Sequence, residues 1–173
     1  MTNVVLVIDM VRGFLEPGHN LYCGDDSRTI IPKVQNLLKQ EKEVGSEIIF
    51  LSDHHLPDDL EFRMFPVHCV IGTVEPEVIP ELAEYVTDSN VIAKNRYSGF
   101  FNTDLEQRLA SINPDKIIAC GVCTDICVLH TTADARNRDY SVEVPADCVA
   151  TFDPDAHLWA LGHLEKILGA RVV

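Results

Sequence analysis

The sequence lacks both a surplus of basic residues and a long apolar run. Its 173 residues carry 14 Lys or Arg against 27 Asp or Glu, a formal net charge of −13 at pH 7. That charge repels nucleic acid and anionic membrane surfaces, so we expect neither as a partner. The first apolar stretch, Val4–Ile8, is far shorter than the roughly 20 residues of a membrane-spanning helix, and no basic segment precedes it. We therefore expect neither a membrane span nor a secretory signal.

The sequence also lacks repeats, low-complexity segments and Gly/Ser linkers. With 46% hydrophobic and 24% charged residues, this pattern predicts a single packed domain over residues 1–173. Six cysteines without a secretory signal predict reduced thiols in a cytoplasmic protein, not a disulfide framework.

Short apolar runs with β-branched residues alternate with longer helical patterns along the chain. The six predicted strands are Val4–Ile8, Ile48–Leu51, Val91–Ala93, Lys116–Cys120, Ser141–Val144 and Ala170–Val173. The predicted helices run from Pro32 to a capping Gly45, over Glu77–Tyr85, Thr103–Ile112 and Thr124–Arg138, and from Pro154 to Gly169. This alternation predicts an α/β three-layer sandwich, in which a mostly parallel six-stranded sheet has helices on both faces.

Polar side chains follow four of the predicted strands. Asp9, Asp53 and Lys94 follow the first three strands, and a cysteine-rich segment follows the fourth. Because ligands of open α/β sheets bind outside the carboxyl ends of the strands, we expect these groups to converge in one site. The long connection from Asp53 to Glu77 is expected to be a functional loop at the same edge.

The segment Cys120-Gly-Val-Cys-Thr-Asp-Ile-Cys127 allows three interpretations. Its Cys-x-x-Cys could form a dithiol redox pair or half of a zinc site. Cys127, however, falls in the first turn of a predicted helix, where free N–H groups and the helix dipole favour a thiolate. A strand-turn-helix also supplies N–H donors for an oxyanion. A nucleophilic role for Cys127 is therefore favoured, and Cys120 is expected in the core.

The segment from Gly121 to Ala135 resembles the nucleophile signature of the isochorismatase-like cysteine hydrolases, and the similarity covers nearly the whole chain. The resemblance implies that Cys127 attacks the substrate and that the N–H groups of Cys123 and Cys127 form the oxyanion hole. It also implies a cis peptide between Val122 and Cys123.

Two further residues match the catalytic triad of that family. The resemblance implies that Asp9 accepts the thiol proton and later gives it to the leaving amine, while Lys94 stabilises the charge of the pair. Without the cysteine, an ion pair between Asp9 and Lys94 that only ties two strands together would be the simpler interpretation.

The acidic, histidine-rich loop holds Asp53-His-His55, Glu61 and His68. Taken alone, such a loop is more often a solvated surface. It is similar, however, to the metal loop of the nicotinamidases in the same family. This similarity implies that Asp53, His55, Glu61 and His68 bind one divalent metal ion, zinc first, with manganese or iron as alternatives. His54 is expected to face away from the metal.

The same similarity implies a substrate. In nicotinamidases the metal binds the pyridine nitrogen, and Phe14, Phe65 and Tyr97 match the aromatic positions around the ring. The implied reaction is hydrolysis of nicotinamide, a small-molecule amide, through a thioester. An amidase for ureido or carbamoyl compounds, a dithiol redox protein and a metal-binding protein without activity are the alternatives. Subunits of this family commonly associate, so a homo-oligomer is compatible with the sequence.

One stretch departs from the family pattern. The family usually has Gln or another polar residue two positions after the aspartate, whereas this chain has Val11, followed by Arg12 and Gly13. A valine side chain cannot form a hydrogen bond, so the departure weakens the substrate assignment more than the assignment of the chemistry.

Overall fold

The computed structural model describes residues 2–173 and contains one sheet of parallel strands. The seven strands are β1 (Asn3–Ile8), β2 (Glu47–Asp53), β3 (Val91–Lys94), β4 (Lys116–Val122), β5 (Val142–Val144), β6 (Val149–Ala150) and β7 (Arg171–Val172). Their order across the sheet is β3-β2-β1-β4-β5-β7, and β6 pairs with the carboxyl end of β4. Every pairing is parallel.

Helices and short turns connect the strands. The α-helices are α1 (Arg12–Leu15), α2 (Asp25–Arg28), α3 (Ile31–Glu43), α4 (Leu105–Ile112), α5 (Leu129–Arg136) and α6 (Pro154–Lys166). Tight 3-10 turns occur at Leu60–Arg63, Pro80–Tyr85 and Ala146–Cys148, and a π-helical turn occurs at Thr124–Val128. Within residues 2–173, none of these helices combines the length and the apolarity that a membrane crossing requires.

Alternate side chains of β1 face opposite layers of the molecule. Val5 and Val7 pack in one core with α3, whereas Leu6 and Ile8 pack in a second core with α4, α5 and α6. This period of two is the signature of a strand buried on both faces. The predicted three-layer α/β architecture is therefore confirmed.

The structure differs from the predicted elements in several places, and the four-residue helices α1 and α2 had no counterpart among the predicted helices. The sheet has seven strands instead of six, because the two-residue β6 is too short to form a recognisable apolar run. The helix predicted over Glu77–Tyr85 is a 3-10 turn that begins at Pro80, a residue without an N–H group. The helix predicted over Thr124–Arg138 is divided into the π-helical turn and α5, because the carbonyl of Cys123 accepts the N–H groups of both Ile126 and Val128.

Gly121 lets β4 approach β1 at the edge where the polar residues lie. Its φ is +115°, and a Cβ placed on it would lie 2.0 Å from the carbonyl oxygen of Ile8. No side chain fits at that distance. The peptide between Val122 and Cys123 that follows is cis, as the resemblance implied.

We predict that Gly121→Ala destabilises the protein by about 3 kcal/mol, because the new Cβ combines a backbone clash with a left-handed conformation. Urea unfolding measures the change. Gly162→Ala is the matched control: Gly162 lies in α6 with no atom within 4 Å of a new Cβ. That variant should gain about 0.5–1 kcal/mol of helix stability. A similar effect of the two substitutions would contradict the close approach.

Candidate active site

The ammonium of Lys94 lies buried among three other predicted site residues. Its Nζ is 2.9 Å from Asp9 Oδ2, 3.1 Å from Asp53 Oδ1 and 3.6 Å from Cys127 Sγ. It also donates a hydrogen bond to the carbonyl of Arg96 at 3.1 Å. The structure thus brings the predicted triad of Asp9, Lys94 and Cys127 together, and the catalytic role of each stays a prediction.

The parallel sheet explains why these residues meet. Lys94 ends β3 directly beside Asp53, the residue that ends β2, because the two are paired in register. Asp9 follows β1, adopts a φ of +51° and donates its N–H to the carbonyl of Leu51. Three neighbouring strands therefore place their terminal side chains at one edge, as the sheet-edge rule predicts.

Burial dominates the acid–base properties of the triad. It raises the pKa of Asp9 to about 6, although Lys94 opposes the shift. Burial also raises the pKa of the Cys127 thiol well above its ordinary value; Lys94 again opposes this, while Asp9 adds to it. The sequence predicted a thiolate at Cys127, whereas burial in the structure favours the protonated thiol. Cys127 lies in an enclosed π-helical turn, where desolvation outweighs the nearby ammonium, and the resting thiol keeps its proton.

Asp53, His55 and His68 form a cluster of metal-ligand type, with one potential ligand atom of each within 4.8 Å of the others. The Nε2 atoms of His55 and His68 lie 2.9 and 3.1 Å from Asp53 Oδ2. The Nδ1 atoms point the other way, to Asp59 Oδ2 at 3.0 Å and to the carbonyl oxygen of Pro66 at 2.7 Å. Both rings therefore direct the same nitrogen at a common point.

Glu61 adds a fourth donor to this cluster. Its Oε1 lies 4.0 and 3.8 Å from Nε2 of His55 and His68. Its Oε2 is buried without a hydrogen-bond partner among residues 2–173. The carboxylate thus has one oxygen beside the two imidazoles and one without a hydrogen bond, 3.9 Å from Nη1 of Arg96. A donor set of this kind fits a zinc, manganese or iron ion. His54 is excluded from the cluster, with its ring turned to the carbonyl oxygen of Ser52 at 3.0 Å.

A narrow cavity of about 30 Å³, open to solvent at its mouth, connects the cysteine with the metal-ligand cluster. The three predicted aromatic residues line it: Phe14 and Phe65 lie 5.7 and 6.4 Å from the His68 ring, and Tyr97 lies 6.4 Å from Phe65. The sequence prediction missed three further apolar lining residues, Leu21, Ile126 and Phe152. Leu21 and Phe152 belong to irregular loops, where no periodic pattern marks a buried side.

The departure from the family pattern after Asp9 has a structural role. Val11 is fully buried and forms an antiparallel bridge with Val78. The N–H of Gly13 donates to the carbonyl of Glu75 at 2.9 Å, and a Cβ on Gly13 would lie 2.9 Å from Cys69 Sγ. These residues therefore fasten the end of the long loop against α1.

A buried cysteine, carboxylate and ammonium at the edge of a parallel sheet, beside a cluster of metal-ligand type, define a hydrolase site of the α/β class. The model of the family described as Isochorismatase domain matches residues 3–173. The chain belongs to the isochorismatase family and is a hydrolase of that family.

Three solved structures are similar to this chain over nearly its full length. Nicotinamidase PncA from Bacillus subtilis is 34% identical, with a TM-score of 0.92 and coverage of 100% of this chain and 99% of that one. Pyrazinamidase of Pyrococcus horikoshii in complex with zinc is 30% identical, with a TM-score of 0.88 and coverage of 99% and 98%. N-carbamoylsarcosine amidase from Thermoplasma acidophilum is 30% identical, with a TM-score of 0.86 and coverage of 99% and 95%.

We predict that Asp9→Asn lowers the pKa of the Cys127 thiol, because the Asp9 carboxylate is one of the groups that raise it. The rate of iodoacetamide alkylation at Cys127, followed by mass spectrometry across pH, reports this pKa. The wild-type protein should alkylate only above the pH range of a free cysteine, and Asp9→Asn should alkylate at a lower pH. Cys127→Ser identifies the adduct. A wild-type profile at or below that of free cysteine would contradict the dominance of burial.

Proposed function

We propose that the protein is a nicotinamidase, which hydrolyses nicotinamide to nicotinic acid and ammonia. The observation that carries this proposal is the shared cavity: the thiol of Cys127, three of the four proposed metal ligands and three aromatic rings line the same space. Apolar walls with a few polar groups suit a flat heteroaromatic amide. The likeness to a nicotinamidase and to a pyrazinamidase supports the same substrate class.

In the proposed mechanism, Cys127 is a protonated nucleophile that needs a base. Its sulfur attacks the amide carbon while Asp9, which lies beside the same Lys94 ammonium as the thiol, takes the proton. The N–H groups of Cys123 and Cys127 stabilise the tetrahedral oxyanion. Asp9 then gives the proton to the leaving nitrogen, so that ammonia departs and a thioester remains. Water activated by Asp9 hydrolyses the thioester, which restores the thiol and releases the acid.

Lys94 maintains the charge of Asp9 in this mechanism. Its ammonium, 2.9 Å from the Asp9 carboxylate, opposes the burial that raises the pKa of Asp9. As a result, the Asp9 carboxylate is ionised at neutral pH and can act as the base. Lys94 also stabilises negative charge that develops on the Cys127 sulfur, which lies 3.6 Å away.

One divalent cation, zinc first, would be held by Asp53, His55, His68 and Glu61. When bound, it supplies a Lewis-acid anchor for a ring nitrogen of the substrate. Phe14, Phe65 and Tyr97 would pack against the ring and keep the carboxamide directed at Cys127.

A carbamoyl substrate is a second candidate, because the chain is also similar to an N-carbamoylsarcosine amidase. N-carbamoylsarcosine carries a carboxylate. None of the side chains that the structure places along the cavity is Lys or Arg, whereas Asp9, Asp53 and Glu61 are among them. The electrostatics of the cavity therefore favour an uncharged amide.

We predict that the purified protein releases ammonia from nicotinamide. Cys127→Ala should reduce this activity on the order of 10⁴-fold or more, because the nucleophile is lost. Cys123→Ser is the matched control: it keeps the backbone N–H and should retain substantial activity. Removal of metal with a chelator should weaken nicotinamide binding, and zinc should restore it. Faster release from N-carbamoylsarcosine would refute the substrate assignment, and equal losses in the two cysteine variants would favour a dithiol protein.

We predict an acidic limb in the pH profile of kcat/KM for nicotinamide. The pKa of Asp9 is raised to about 6, so the carboxylate that acts as base is present above this pH and is lost below it. Activity should fall about tenfold per pH unit below pH 6 while the protein stays folded. A flat profile from pH 7 to pH 5, with unchanged circular dichroism, would show that Asp9 is not the base.

A further inference from the structure

Asp59 contacts two of the proposed metal ligands without belonging to the cluster. Its side chain is only 5% exposed. Its Oδ2 lies 3.0 Å from Nδ1 of His55, and its Oδ1 accepts the backbone N–H of Glu61 at 2.9 Å. Nη1 of Arg96 donates to both carboxylate oxygens at 2.9 and 3.1 Å. Each of these contacts is therefore made either to a proposed metal ligand or to Arg96, the cation that holds Asp59 in place.

These contacts determine which nitrogen of His55 is free to bind a metal. When a metal ion takes the lone pair of Nε2, the neutral imidazole keeps its one proton on Nδ1, and the Asp59 carboxylate accepts a hydrogen bond from that N–H. Nε2 lies 2.9 Å from Asp53 Oδ2, on the side of the other proposed ligands. Nη1 of Arg96 contacts both oxygens of this carboxylate, so Asp59 faces a cation on one side and His55 on the other.

The second histidine of the cluster is oriented in a different way. Nδ1 of His68 lies 2.7 Å from the backbone carbonyl oxygen of Pro66, an acceptor that no side-chain substitution removes. The orientation of His55 is thus the one that depends on a side chain, and Asp59 is that side chain.

We propose that Asp59, anchored by Arg96, is a positioning residue for the metal centre. It keeps Nε2 of His55 as the ligand atom and fixes the backbone of Glu61 beside it. This inference rests on the proposed function, in which Asp53, His55, Glu61 and His68 hold a divalent ion.

Asp59→Asn tests the inference because an amide has the same shape with one acceptor oxygen. If that oxygen accepts the Glu61 N–H, the NH₂ group faces His55 and favours the tautomer with the proton on Nε2. If the amide is flipped, the NH₂ group opposes the Glu61 N–H. Either orientation removes half of the contacts, and the first one blocks the ligand atom.

The experiment measures zinc affinity by competition with a chromophoric chelator. Loss of a carboxylate behind a metal-bound histidine typically costs about 10- to 100-fold in affinity, and we expect that loss in Asp59→Asn. Arg96→Gln should show a smaller loss in the same direction. Asp104→Asn is the matched control, because Asp104 forms an exposed ion pair with Arg108 at 2.8 Å, away from the cluster. Its zinc affinity should equal that of the wild-type protein.

Nitrogen-15 NMR of the zinc-loaded protein supplies a readout that general destabilisation would not move. Nδ1 of His55 should carry a proton in the wild-type protein, and its chemical shift should change in Asp59→Asn, while Nδ1 of His68 stays unchanged. If Asp59→Asn does not fold, Arg96→Gln and the wild-type protonation of Nδ1 still test the proposal. Wild-type zinc affinity in the folded variants, or a wild-type His55 that binds zinc through Nδ1, would overturn it. Failure of the wild-type protein itself to bind zinc would instead remove the proposed metal centre, and this inference with it.

Discussion

Lys94 places a charged ammonium where its side chain has no exposed surface, and the carboxylate of Asp9 that faces it is equally buried. Burial of an unpaired charge costs several kcal/mol, so neither partner is tolerated there without the other. Because Asp9, Asp53 and Lys94 end three neighbouring strands, this electrostatic requirement fixes how the ends of β1, β2 and β3 lie relative to one another. The sulfur of Cys127 lies within 3.6 Å of the same ammonium. The positions of these site residues thus follow from the need to surround one buried ammonium with negatively charged partners.

Asp53 connects this cation to the metal-ligand cluster. Its Oδ1 faces Lys94, and its Oδ2 faces the Nε2 atoms of His55 and His68. Burial alone would raise the pKa of Asp53, but the ammonium and the two imidazoles hold it well below its ordinary value. One carboxylate therefore serves both halves of the site, and a charge change at the cluster alters the field at Lys94. The electrostatics of the triad and of the metal-ligand cluster are therefore coupled.

The sheet and the convergence of the site could be predicted because both follow from periodic or positional rules. Buried runs such as Val4–Ile8 identify strands, and parallel order then places Asp9, Asp53 and Lys94 at one edge. The protonation of Cys127 could not be predicted, because it depends on how completely the turn is enclosed. The role of Asp59 could not be predicted either, since its partner Arg96 is 37 positions away in a loop without a pattern. Contacts between irregular segments leave no local signal.

The charges around the cluster are unequal, and this imbalance gives the metal assignment a physical basis. Four buried carboxylates, those of Asp9, Asp53, Asp59 and Glu61, face two cationic side chains, those of Lys94 and Arg96. Burial alone would lower the pKa of His55, yet hydrogen bonds to Asp53 and Asp59 raise it to about 9. This excess of negative charge favours the binding of positive charge at the cluster. Protons on the imidazoles can provide that charge, but they occupy the nitrogen atoms that would otherwise bind a metal ion. A divalent cation would supply the same two charges and leave both imidazoles neutral, as ligation requires. Its binding should accordingly release protons, and the affinity should increase with pH through the range in which the histidines titrate.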